Sequence, residues 1–280
     1  DMAVVSLRSL SDPKLSAPAV ELFSRIAAQP SFPAASLARI KNQLLAGFEY
    51  DKQNPGQLAS LALFEQLYGA HPYAHSSSGD ATSVPKLTRQ QLQEFHRTYY
   101  NANNAQIALV GDLTLEQAKA ISEKVSARLP RGQAAAKTVA PKANVAAKIH
   151  IEHPSTQTHI LLAQLAVKRG DPDYPALFLG NQILGGGGFG TRLMEEVREK
   201  RGLTYGIYSS FSPMQADGPF MINVQTRAQL SAVTLQLVQD LLRDYIKNGP
   251  SAAELAKAKR ESLGSFPLSA ASNSAIVGQL

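Results

Sequence analysis

Cysteine is absent from the 280-residue sequence, which removes disulfides, thiolate metal sites and a cysteine nucleophile from consideration. That absence suits the cytoplasm and the periplasm equally and places the protein in neither. No apolar run approaches the ~20 residues that a bilayer-crossing helix needs. No amino-terminal signal peptide is visible, a state that a mature chain would share. The histidines lack the pattern of a metal site. His71 and His75 are four apart, but Pro72 lies between them and residue 74 is alanine, so the H-x-x-E-H arrangement, with two ligands and a base, is missing. His96 shares its helix with Phe95 and Tyr99 and reads as a packing or surface residue, while His150, His153 and His159 have only Glu152 at ligand spacing. A G-x-S-x-G nucleophile elbow is also absent.

What is present suits a globular protein of about two domains: 44% of residues are hydrophobic and 18% charged. The net charge of +6 would fit a nucleic-acid binder if it were gathered on one face. Instead Lys and Arg are scattered, and the tightest cluster, Arg192 to Arg201, also holds Glu195, Glu196 and Glu199. We read this charge as solvated surface, with no nucleic-acid partner.

Periodicity predicts alternating strands and helices, an α+β pattern. Strands are expected at Ala3–Leu10, Ala105–Gly111, Ile149–Glu152, His159–Val167, Tyr205–Phe211 and Phe220–Thr226. Helices are expected at Ser16–Gln29, Pro33–Lys52, Gly56–Tyr68, Thr88–Tyr99, Thr114–Ala127, Tyr174–Leu184, Thr191–Lys200, Leu230–Asn248 and Ser251–Leu263. Thr88 with Gln91, and Thr114 with Gln117, have the spacing of capping boxes. An Ala/Lys/Pro-rich stretch divides the chain into a first lobe over 1–130, a linker over 131–147 and a second lobe over 148–280.

The lobes resemble each other. A shift of 218 carries Leu37-Ala38-Arg39-Ile40-Lys41 onto Leu255-Ala256-Lys257-Ala258-Lys259, and carries the predicted strand Ala3–Leu7 onto Met221–Gln225. This register implies an internal duplication in which both lobes are incomplete within the 280 residues. The expected architecture is a pair of duplicated lobes, each a mixed, mostly antiparallel sheet with helices on one side.

One segment, Gly185-Gly186-Gly187-Gly188-Phe189-Gly190, stands out. Gly185, Gly187 and Gly190 fit G-x-G-x-x-G, but a dinucleotide site needs a strand leading into the loop, and a helix is predicted there. Glycines free the backbone to adopt positive φ and leave it bare. The loop therefore serves either as a flexible connection or as a surface for another backbone.

The run from Leu184 through Gly185, Phe189, Thr191, Glu195, Arg198, Gly202 and Tyr205 to Ser209 is similar to the second-domain signature of the pitrilysin/insulinase zinc peptidase family, which includes the mitochondrial processing peptidases. Asn54-Pro55-Gly56, Leu67-Tyr68-Gly69-Ala70-His71-Pro72-Tyr73, the run from Phe95 to Asn104, and Leu109-Val110-Gly111-Asp112 agree with that family in order. The resemblance implies sheets facing each other across a closed chamber. It places a glutamate zinc ligand eight residues ahead of the proline, where this chain has Gly47. Glu49 lies about 200° further round the helix and does not substitute in that register. The resemblance further implies that an arginine and a tyrosine seven apart, here Arg198 and Tyr205, grip substrate, with the glycine loop beside them. The function expected from it is a zinc-free, peptide-binding subunit, without a cofactor of its own, whose homologous partner carries the zinc. A periplasmic bacterial setting is expected, with the cytoplasm as the alternative. Two alternatives stand beside this function: a fragment of an active zinc peptidase whose H-x-x-E-H lies upstream, and a structural core subunit without activity.

Overall fold

Several helices in this chain begin where a side chain can take up the free backbone N–H groups of a first turn. In the computed structural model, which describes residues 2–280, both expected capping boxes form. The Thr88 hydroxyl accepts from the Gln91 N–H at 3.2 Å while the Gln91 side chain accepts from the Thr88 N–H at 2.8 Å, opening a helix over Arg89–Tyr99. Thr114 and Gln117 do the same for Leu115–Ser126. Thr88→Ala is expected to cost about 1 kcal/mol in urea unfolding; an unchanged midpoint would remove the cap from the account of this helix.

In chain order the helices are α1 (Pro13–Ala28), α2 (Ala34–Asp51), α3 (Pro55–Tyr68), α4 (Arg89–Tyr99), α5 (Leu115–Ser126), α6 (Tyr174–Asn181), α7 (Ser231–Asn248), α8 (Ala252–Ser265) and α9 (Asn273–Val277), and the strands are β1 (Gln157–Leu165), β2 (Thr204–Phe211) and β3 (Pro219–Arg227). The helices α7 and α8 begin 218 residues after α1 and α2, the register read from the sequence.

The chain divides into two units, one over Asp1–Leu44, Thr82–Lys137 and Gly264–Leu280, the other over Leu45–Ala81 and Thr138–Leu263. In the first unit α1 packs on α5, and Glu21 of α1 pairs with Arg128 and, at 3.3 Å, with Lys124. His96 of α4 is spent on packing: its Nε2 lies 2.8 Å from the Ala27 carbonyl and its ring meets Phe32 edge-on. Residues 3–10 and 105–110, both expected as strands, form no assigned strand and join no ladder, and the same holds for 149–152. Apolar alternation supplies β-propensity, but a strand exists only where a neighbour meets its N–H and C=O groups.

In the second unit the three strands make an antiparallel sheet of order β1-β3-β2. Alternation sorts β3: Phe220, Ile222, Val224 and Thr226 are buried, while Asn223, Gln225 and Arg227 face solvent. The buried side meets Leu184, Leu193, Met194, Val197 and Val238 to form the core, closed by Leu241, Leu242 and Tyr245 of α7. On the same unit α3 packs against β1. Tyr68 at its end donates to the Asp217 carbonyl at 3.1 Å, and burial pushes its phenol up to about 12. The stretch after residue 137 lies along α3 through His71 Nε2 to the Val139 carbonyl at 2.9 Å and Asn144 to the Gln66 carbonyl at 2.7 Å.

Candidate functional site

The glycine segment begins inside one widened helical turn and leads towards a second. Helix α6 runs directly into a π turn over Gln182–Gly186, the chain then crosses Gly187–Gly190, and a second π turn spans Met194–Glu199. In the second turn the Lys200 N–H donates to the Glu195 carbonyl at 2.9 Å, one residue beyond the α-helical partner. Such turns are rare and concentrate at functional sites.

The structure gives the glycines two different reasons. A Cβ on Gly185 would lie 2.6 Å from Ser209 Oγ and 2.8 Å from Leu193 Cδ1, and one on Gly187 would lie 2.6 Å from the Gln182 carbonyl oxygen. These residues, together with Gly186 against Asn181, are glycine because the loop folds back tightly on its own helix. Gly188 and Gly190 have φ of +75° and +81°, which L side chains rarely adopt. Gly186, Gly187 and Gly190 are exposed, so bare backbone does face outward beside Phe189, which is 74% exposed.

Arg198 leaves the second π turn with its guanidinium 4.9 Å over the Phe189 ring and paired with Glu199. Arginine and loop are thus in contact through a cation–π arrangement that the sequence did not disclose. Tyr205 opens β2 with its side chain in solvent, 90% exposed. The residues of the charge cluster that the sequence suggested were solvated do pair locally: Lys200 with Glu196 at 2.6 Å and Arg201 with Glu196 at 2.6 Å. Their attraction holds Glu196 below its ordinary carboxylate range.

Arg192 departs from the surface reading. Its fork is two hydrogen bonds to Glu254, at 2.6 and 2.8 Å, plus one to the Gly249 carbonyl at 3.0 Å. The guanidinium also lies 4.9 Å over the Tyr245 ring. The Arg192 fork, with the N–H and hydroxyl of Ser251, lowers the Glu254 carboxyl from 4.5 to about 2. A carboxyl depressed in the folded state stabilises it fully above the unfolded value and loses that contribution as pH falls. The stability should therefore drop between pH 4.5 and about 2, by about 1–2 kcal/mol once solvent screening of this partly exposed pair is allowed for. Urea midpoints across that window check this, and Glu254→Gln should flatten the slope; a variant with the wild-type slope would refute the assignment.

Among the described residues, none gather into a set that fits a zinc ion. Gly47 is exposed on α2, and apart from its own helical backbone and chain neighbours no atom comes within 4 Å of where its Cβ would be. Glu49 is held by Lys52 at 2.6 Å, with both side chains mostly in solvent. His150 pairs with Glu152 at 2.8 Å, and among the described residues no group of three or more His, Asp or Glu side chains is placed to hold a metal. Nor, among them, is any helix long and apolar enough to cross a membrane.

Fold and site together define an α+β protein in which, among the described residues, no side chains gather into a metal centre. The chain belongs to the family described as the peptidase M16 inactive domain, which matches residues 86–262. The glycine loop, Arg198 and Tyr205 all lie within that span. The chain is 27% identical to a protein called non-peptidase homolog YmxG from Helicobacter pylori, over 89% of this chain and 58% of the relative. It is 29% identical to an uncharacterized zinc protease of Mycobacterium bovis, over 76% of this chain and 50% of that protein. Among solved structures, a peptidase M16 inactive domain from Pseudomonas fluorescens superposes with a TM-score of 0.93 at 61% identity, covering 96% of this chain and 64% of that one. The chain thus spans about half the length of these curated relatives, whose names disagree on whether they are peptidases.

Proposed function

We propose that this chain belongs to the zinc-free, substrate-binding subunit of a two-subunit pitrilysin-type peptidase. Gly47 carries the reading: where an active relative coordinates zinc, an exposed position without a side chain offers no ligand, and the nearby carboxylate of Glu49 is turned to Lys52. The homologous partner supplies zinc and the attacking water. This chain supplies Arg198, whose guanidinium can donate to a peptide carbonyl or carboxylate, and Tyr205, whose phenol can donate to the oxyanion that forms at the scissile bond. The substrate class is extended peptide or unfolded segments, held in a closed chamber. Backbone pairing suits such ligands because it reads main chain more than sequence, and β1 and β2 are the outer strands of the sheet. The bacterial resemblance favours the periplasm.

The zinc protease name of the mycobacterial relative favours a second reading, in which the whole protein carries its own zinc site. Metal analysis separates the two. The purified protein alone should hold no stoichiometric zinc and cleave nothing, and hydrolysis should appear only with the zinc-bearing homologue. Stoichiometric zinc with activity in the isolated protein would establish the second reading. No activity in any pairing would leave a structural subunit.

A further inference from the structure

Both ends of the glycine loop are fastened to one residue. Upstream, the Tyr245 hydroxyl donates to the Gly180 carbonyl at 2.8 Å. Downstream, the Arg192 guanidinium lies 4.9 Å over the same Tyr245 ring while its fork engages Glu254 and the Gly249 carbonyl at the α7–α8 turn. Three further bonds set the loop between these ends. The Asn181 side chain donates to the Ser209 carbonyl at 3.0 Å and accepts from the Ser209 hydroxyl at 2.6 Å, and the Thr191 hydroxyl donates to the Gly188 carbonyl at 3.0 Å. Tyr245 thus joins Gly180, two residues before the first π turn, to Arg192, two residues before the second. The loop carries Phe189, and Phe189 carries the guanidinium of Arg198.

We propose that Arg192, Tyr245 and Glu254 form a clamp that sets the spacing of the loop ends and thereby holds Phe189 and Arg198 ready for a bound peptide. These are positioning residues: none of them needs to touch the ligand. The gain comes from preorganisation. Five glycines among six residues leave the loop many conformations, and the freedom lost on binding would otherwise weaken the complex. Tyr245 is half-buried, and burial raises its phenol above the ordinary value, so the hydroxyl keeps the proton that it donates to Gly180. The inference rests on the proposed role of Arg198 in gripping peptide, and the experiment separates the two.

Tyr245→Phe deletes one hydroxyl and keeps the ring beneath Arg192, so the fold should survive. Arg192→Lys, which keeps the charge and loses the fork, serves as a second variant. The readouts are amide hydrogen exchange over 182–199 and the affinity of the purified protein for fluorescein-labelled β-casein, an unstructured probe. In Tyr245→Phe, exchange in that segment should rise and binding should weaken about fivefold, as for one lost hydrogen bond. The same loss should vanish when Arg198→Ala is already present, because a clamp that acts through Arg198 has nothing left to orient; a merely structural effect would persist in both backgrounds. Unchanged exchange in both clamp variants, or a fivefold loss that persists beside Arg198→Ala, would overturn the clamp. If Arg198→Ala itself leaves β-casein binding intact, the peptide-gripping role falls, and the positioning role falls with it.

Discussion

Leu193→Ala is expected to cost about 3–5 kcal/mol in equilibrium unfolding. Leu193 is wholly buried among Leu184, Val197, Ile207, Ile222 and Val224, and it stands immediately before the second π turn. Truncation there leaves a void bounded by the sheet on one side and the glycine loop on the other, and neither can close it without moving. The loop and the core are in this sense one structure. A Cβ on Gly185 would come within 2.8 Å of Leu193 Cδ1, so Gly185→Ala should by itself cost about 1–3 kcal/mol through overpacking. In the Leu193→Ala background that second cost should shrink, since the vacated volume admits the methyl group, although Ser209 still crowds it. A double-mutant cycle in urea measures the coupling. Strict additivity would show that the two positions do not share a packing constraint.

The sequence made the helices legible because their signals are local. Thr88 and Thr114 announce their capping boxes within four residues, and the 218-residue register read from the sequence returns as matching helix starts. The strands divided. Those at 204–211 and 219–227 were readable because their apolar alternation coincides with available partners. The equally apolar 3–10 and 105–110 found no ladder among the described residues, and partners are not written in the run itself. The π turns were invisible, since a single widened turn leaves the apolar periodicity nearly intact. Arg192 was read as one more surface charge. Its partner Glu254 is 62 residues away, and only the packing of the α7–α8 turn beside the loop brings them together. The glycine run was legible as an anomaly, yet its cause was half missed: Gly185, Gly186 and Gly187 answer to crowding by Ser209, Asn181 and Gln182 within the domain, and a sequence cannot report a contact distance.

The largest effect belongs to Tyr205. On the proposed function, Tyr205→Phe in the assembled peptidase should lower kcat by about 10²–10³, the loss seen when one oxyanion donor is removed, while KM and the zinc content of the partner stay near wild type. The phenol is suited to this role by its position. At 90% exposure it has no burial to maintain, so removing one oxygen does not disturb the core, and a defect confined to kcat is assignable to the transition state. Arg198→Ala should behave differently. A guanidinium that binds peptide before and during reaction contributes to ground and transition states alike, so its loss should fall mainly on KM. Because Arg198 already stacks on Phe189 and pairs with Glu199, part of its charge is satisfied without ligand. The rise in KM should therefore stay near tenfold rather than reach the hundredfold expected of a wholly unpaired arginine, in keeping with about 1.5–3 kcal/mol for a charged hydrogen bond less what the existing pair retains. Wild-type kcat in Tyr205→Phe, measured with zinc occupancy intact, would remove the tyrosine from the chemistry and leave this domain a binding role alone.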